Sequence, residues 1–201
     1  MRDRDVRRAL LELLENQHAG DDETIVVEEM GIWSGTVRID VAVINGELTG
    51  FELKSERDTL TRLPDQAEIY GLVFDRVYLV TTEKHLRKAN AIIPRWWGSM
   101  VVRTQIDGKL SISERRQARL NPTIDAQILA KLLWKEEALD LLDRHNLASG
   151  YRSKSAPILH DRLATTLDIH TLRDGVRAAL KKRTNWLGQV SSDSFDMPVH
   201  A

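Results

Sequence analysis

The sequence predicts an α/β fold whose last third becomes wholly helical, and three observations predict it. Short runs of Val, Ile, Leu and Phe with the two-residue period of strands recur between residues 24 and 82. Segments with helical spacing lie before and between them, at 3–16 and about 59–72. Beyond Arg119 only helical spacing remains.

The first helix covers 3–16, where Val6, Leu10, Leu13 and Leu14 recur at helical intervals and Gly20 follows as a stop. Strands follow at "TIVVEEM" (24–30) and "TVRIDVAVI" (36–44), the second entered through Ser34-Gly35. Asn45-Gly46 is a strong hairpin signal and returns the chain into "ELTGFELK" (47–54). After the helix at 59–72, "RVYLVTT" (76–82) is apolar on both faces, as a strand buried inside a sheet should be. "EKHLRKANAII" is a further helix, ended by Pro94. "SMVVRTQ" and "GKLSISE", split by Asp107-Gly108, form an extra hairpin. Helices then cover 123–148, 157–168 and 170–183, while the polar, aperiodic residues 184–201 read as a flexible tail. The division expected is an α/β domain over 1–120 and a helical module over 121–183, with the boundary at Asn121-Pro122.

Composition narrows the chemistry. The chain has 201 residues, 42% hydrophobic, which is enough to bury a core. It has no cysteine, so disulfides, thiolate metal sites and cysteine nucleophiles are excluded. No apolar run approaches the roughly 18 residues of a membrane span. The charged N-terminus "MRDRDVRRALLELLENQHAG" does not read as a secretory signal, so a cytoplasmic protein is expected. Residues 21–58 carry ten acids against three Lys or Arg; residues 84–120 carry nine Lys or Arg against two acids, and residues 144–183 nine against three. An acidic centre between basic segments suits a metal-using enzyme acting on a polyanion.

The hairpin holds three charges that a strand interior should resist: Asp40, Glu52 and Lys54. Glu52 and Lys54 are two apart and share a face. Asp40, on the strand paired with theirs, can come alongside. Two carboxylates at one point repel unless a cation lies between them. With no Cys and no clustered His, oxygen ligands suit Mg²⁺ or Mn²⁺. Such an ion, with open positions, is apparatus for phosphodiester hydrolysis. Lys54 beside it would orient water or stabilise developing charge.

Asp40, a short hairpin, Glu52-Leu53-Lys54 at a strand end, then a helix and an apolar strand together resemble the PD-(D/E)XK nuclease superfamily. The likeness covers residues 3–93, and "RIDVAVINGELTGFELKSERDTLTRLPDQAEIYGLVFDRVYLVTT" is similar to a little-characterised bacterial branch. The resemblance implies a restriction-endonuclease-like core of helix, three-strand meander, helix and strand. It implies that Asp40, Glu52 and the Leu53 carbonyl bind the metal while Lys54 assists the attacking water. Ile39 stands where the family's name has proline. By the same resemblance, Gln66 on the following helix is a site residue and Arg62 a phosphate contact. Asp58, Arg62, Gln66 and Tyr70 are spaced four apart, making one polar stripe.

A third carboxylate could come from Glu29 or Glu28 on the preceding strand, or from Glu12 or Glu15 on the first helix, with Glu29 ranked first. No phosphate-binding glycine loop, dinucleotide fingerprint or serine-nucleophile elbow is present, so no nucleotide cofactor is expected. His160 and His170 read as surface or interhelical contacts, and Trp96-Trp97 as core before base-stacking platform. DNA is the expected partner. Arg152 and Lys154 in a turn, with Arg173, Arg177 and Lys181 at four-residue intervals, make a basic face expected to supply affinity. The other role for that module is a cap or a homodimer contact. The alternative to a nuclease is a non-catalytic nucleic-acid-binding or regulatory protein acting through this module.

Overall fold

The computed structural model describes residues 1–32, 37–184 and 186. The Ser34-Gly35 entry and nearly all of the expected tail lie outside them. Among the described residues the fold is α/β, a six-stranded mixed sheet with seven helices.

Helix α1 spans Asp3–Gln17, and Asp5 reaches back to the Arg2 N–H at 2.9 Å to hold its first turn. Strands β1 (Ile25–Ile32), β2 (Val37–Ile44) and β3 (Leu48–Lys54) form an antiparallel meander. The Asn45 side chain accepts the Glu47 N–H at 2.9 Å to close the β2–β3 turn. Helix α2 (Leu63–Gly71) crosses to β4 (Arg76–Thr82), parallel to β3. Helix α3 (Glu83–Ile92) crosses to β5 (Gly98–Thr104), parallel to β4, and β6 (Leu110–Arg116) returns antiparallel. The strands lie in chain order, β1 to β6. Two right-handed crossovers stepping the same way across a sheet place both helices on one face. Leu63, Ala67 and Tyr70 of α2 and Ala89 of α3 accordingly share one buried cluster. On the opposite face Val6, Leu10 and Leu14 of α1 cover Val41, Val43, Phe51, Leu53, Val80 and Val102.

The helix expected over about 59–72 begins only at Leu63, with Pro64 in its first turn; before it, Asp58 accepts the Ser55 N–H at 2.7 Å and holds a loop. Asp58 therefore lies off the helix and Arg62 caps it, so the four-residue stripe reduces to Gln66 and Tyr70. The single helix expected over 123–148 is two, α4 (Ala126–Ala130) and α5 (Lys135–Arg144). At 100° per residue, buried Leu129, Ala130, Leu132 and Leu133 point roughly opposite to buried Ala138, Leu141 and Leu142. A straight helix would leave one set in water, so the chain breaks between them. Glu137 accepts the Trp134 N–H at 2.7 Å to restart it. Helices α6 (Ala156–Thr166) and α7 (Ile169–Lys181) follow. Leu129, Leu142, Leu163, Leu172, Val176 and Leu180 belong to the same buried cluster as Ile39, Ile44 and Leu48 of the sheet. Asn121-Pro122 thus marks a change of element type, while the core continues across it.

Candidate active site

The sheet is interrupted where the candidate residues lie. β1 and β2 pair along their length in one register, but the Glu29↔Asp40 pair is missing between Glu28↔Val41 and Met30↔Ile39. Glu29 there adopts φ of 52°, a left-handed conformation costly for a residue with a Cβ. The interruption shifts which residues face which side. Ala42 and Ile44 share a core with Ile39, while Val41 and Val43 face α1. Pairing between β2 and β3 ends at Val41↔Phe51, so the two strands part beyond it. The freed Leu53 N–H donates instead to Asp40 Oδ2 at 2.8 Å. Asp40 is brought to the end of β3 by the loss of the ladder rather than by its continuation.

Glu52 and Lys54 lie on the α2 side of β3, both buried. Lys54 Nζ donates to Glu52 Oε1 and, at 3.1 Å, to Gln66 Oε1. Gln66 Nε2 donates to Glu52 Oε1 at 2.7 Å. The Tyr70 hydroxyl lies 2.9 Å from Glu52 Oε2 and 2.7 Å from the Arg38 carbonyl, its single proton serving one at a time. Burial, and then the Glu52 charge, push the Tyr70 phenol above its ordinary range, so it remains a donor. The Arg7 guanidinium binds Asp40 Oδ1 at 3.0 Å, the Asp40 carbonyl at 2.9 Å and Glu29 at 2.7 Å. Burial and the neighbouring Glu52 nevertheless push Asp40 up to about 7, against the Leu53 N–H and Arg7, which hold it down.

These groups open on a cleft of about 440 Å³. Its lining includes six acids (Asp3, Glu29, Asp40, Glu52, Asp58 and Asp65) against Arg38, Lys54 and Arg62, with Gln66 beside them. Among the described residues no three His, Cys, Asp or Glu side chains form a group able to hold a metal ion by themselves. Mg²⁺, however, takes one or two protein carboxylates and completes its shell with water and phosphate oxygens. The Glu52 charge raises the cost of ionising Asp40, which an intervening cation would relieve. In kind and number the two carboxylates match that limited ligand role. Glu29, expected as a third ligand, lines the cleft but is bound by Arg7 and approached by Arg38 at 3.6 Å.

Other expected site residues lie elsewhere. Arg173 and Arg177 of α7 turn inward onto buried Asp75, with Arg177 at 3.0 Å, and Lys181 pairs with Glu23 at 3.1 Å. The basic face expected along α7 is therefore largely spent inside the fold, because a buried carboxylate requires partners. Arg152 is exposed but pairs with Asp143, and Lys154 is exposed nearby. Trp97 is fully buried and stacks on Tyr70 with centroids 6.1 Å apart, the core role rather than a base platform. His160 is buried between helices, with Nε2 2.9 Å from the Leu133 carbonyl. Arg7 is the site residue that no sequence pattern singled out, and Tyr70 entered only as part of the polar stripe. Arg7 borders the apolar stripe of Val6, Leu10 and Leu14, and a cation there can reach acids on the sheet edge.

A family model described as Bacteriophage P4 protein cII matches residues 1–194. The chain belongs to this family. Protein cII of Enterobacteria phage P4 is 25% identical to it over 183 residues, spanning 91% of this chain and 68% of that protein. Among solved structures, the SPO1766 protein of unknown function from Silicibacter pomeroyi aligns with 77% of this chain and 98% of its own. That alignment has 17% identity and a TM-score of 0.45. The cII family description names no chemistry, and a shared fold does not by itself fix function. No helix among the described residues is long and apolar enough to cross a membrane.

Proposed function

We propose that this cII-family protein is a metal-dependent nuclease of the PD-(D/E)XK type, hydrolysing DNA phosphodiester bonds. One observation carries the reading: where β2 parts from β3, Asp40 bonds the backbone of Leu53, while Glu52 and Lys54 face an acidic cleft beside Gln66. The order of helix, antiparallel meander, helix and parallel strand supports a restriction-endonuclease-like core. Asp40 and Glu52 are the residues that would hold Mg²⁺ or Mn²⁺. When bound, the ion supplies charge neutralisation at the scissile phosphate and a more acidic water. The chain's own residues do the rest. Lys54, held by Gln66, points a cation at the region where the phosphorane's negative charge develops. Gln66 and Tyr70 hold the Glu52 carboxylate in one orientation. Hydrolysis forms a P–O bond to water and breaks the P–O bond to the leaving oxygen; the attacking water gives a proton to solvent and the leaving oxygen takes one from solvent to depart as the alcohol.

The test is incubation of the purified protein with plasmid and linear DNA in Mg²⁺, Mn²⁺ or EDTA. Nicking or linearisation in metal and none in EDTA is expected; intact DNA under all three conditions overturns the reading. A second reading, a non-catalytic nucleic-acid-binding or regulatory protein, draws on one observation: every carboxylate oxygen of Asp40 and Glu52 already has a protein partner. Calorimetric titration with Mn²⁺ separates the two, since that reading expects no binding dependent on Glu52.

A further inference from the structure

Helix α3 buries His85 and Ala89 and turns Lys84, Arg87, Lys88 and Ala91 outward. At 100° per residue these four fall within one narrow arc. No acid shares it. Glu83, the helix's own acid, is taken by Arg103 and Arg115. Among the described residues, the side chains of Arg87 and Lys88 have no hydrogen-bond or ion-pair partner, in contrast to the inward-turned cations of α7. The helix is also fastened to the site. Lys54 pairs with Thr81 in register, and Thr81 Oγ1 donates to the Lys54 carbonyl at 2.9 Å. Lys84 Nζ donates to the Glu56 carbonyl at 2.6 Å, which places the first turn of α3 against the loop after Lys54. That loop carries exposed Arg57 and leads to Arg62 at the cleft, and its Glu56 carboxylate is bound by the N-terminal amine at 3.0 Å. A band of cations thus runs from the cleft mouth along α3; the acids nearest that helix, Glu56 and Glu83, are paired, while Asp58 beside Arg57 accepts the Ser55 N–H.

We infer that the outer face of α3, with the Arg57 loop, is the track on which the sugar-phosphate backbone of duplex DNA docks as it enters the cleft. The inference rests on the nuclease reading for the identity of the polyanion; the band itself is independent of it. Surface cations that neutralise phosphates give binding its salt dependence, roughly 0.9 in slope for each contact. An acidic cleft without such a flank would repel DNA.

The experiment uses the full chain and a fluorescein-labelled duplex, with anisotropy read across a salt series in Ca²⁺. The parent is compared with the combined variant Lys84→Gln, Arg87→Gln, Lys88→Gln. A control, Arg4→Gln, Arg8→Gln, Lys135→Gln, makes the same change in net charge on other exposed positions. Circular dichroism melts check that both variants fold. The α3 variant should lower the slope of log affinity against log salt by about 2.7. Between about 50 and about 200 mM salt, the parent should then lose about 40-fold more affinity than this variant does. The control should keep the parental slope. Equal slopes for parent and α3 variant, an equal loss in the control, or no duplex binding by the parent each overturn the inference. Displacement of the duplex by polyglutamate of matched charge would assign the face to an acidic protein partner and overturn it too. A parent whose α3-dependent slope is present but which never cleaves DNA in Mg²⁺ would sink the nuclease reading alone.

Discussion

Asp40 has two tasks at once: its Oδ2 closes the gap left where β2–β3 pairing ends, and its charge stands beside Glu52. Its folded-state value, pushed up to about 7, lies above the ordinary aspartate value of about 3.9. The folded protein therefore keeps a proton that the unfolded chain has released. The resulting stabilisation is full below the unfolded value and is lost as pH rises through about 7. Asp40→Asn cannot lose that proton, so its melting temperature relative to the parent should rise between pH 5 and pH 8. A difference that stays flat across that range would show that Asp40 does not titrate there. Metal-dependent cleavage should instead fall as pH drops through about 7, because the protonated acid is a poor ligand. Around it, Glu52→Ala should abolish cleavage and weaken Mn²⁺ binding. Lys54→Ala should abolish cleavage with metal binding largely kept, since the role proposed for it is in the transition state. Gln66→Ala should slow turnover and Arg62→Ala should mainly raise KM. Cleavage by Glu52→Ala at the parental rate would refute the assignment.

At the scale of elements, the strands were readable because their signals are local: two-residue alternation, the Asn45-Gly46 turn, the continuous apolar run of β4. The break between α4 and α5 was also written locally, in the half-turn change of apolar phase and in Glu137 three residues after Trp134. Helical propensity alone hides it. The docking of α7 was not legible, because Arg173 and Arg177 look like an exposed basic stripe until Asp75 is found beneath them. Asp75 also accepts the Leu48 N–H at 2.6 Å, so one carboxylate joins α7 to the β3 end of the sheet. Replacing both arginines with Ala strands a charge that is 1% exposed. A loss of about 3–5 kcal/mol in urea unfolding is expected, against little change for Arg152→Ala on the surface. At Gly98 a Cβ would overlap the Tyr78 ring and approach the Ala118 nitrogen to 2.9 Å. Gly98→Ala should therefore cost about 1–3 kcal/mol in the same assay.

For the whole molecule, the helical last third completes a core that the sheet begins. Leu129, Leu163, Leu172 and Val176 cluster with Ile39, Ile44 and Leu48, so a chain ending at Leu120 would bare that face of the sheet. Such a fragment should bind a hydrophobic dye and melt without a cooperative transition. A sharp two-state melt of residues 1–120 would instead support a division into two units.

By itself the sequence determined the α/β class, the order of strands and helices, and the two-residue spacing that sets Glu52 and Lys54 on one face of β3. Those are properties of neighbouring residues, decided by side-chain period and turn chemistry. Only the tertiary structure decided which charges meet. Arg7 reaches Asp40 across 33 positions, and Arg173 and Arg177 reach Asp75 across 98 and 102. No local spacing encodes such partners. A cation is held inward or left to solvent according to which buried acid the packed core brings beneath it, and that is why α7 lost its free basic face and α3 kept one.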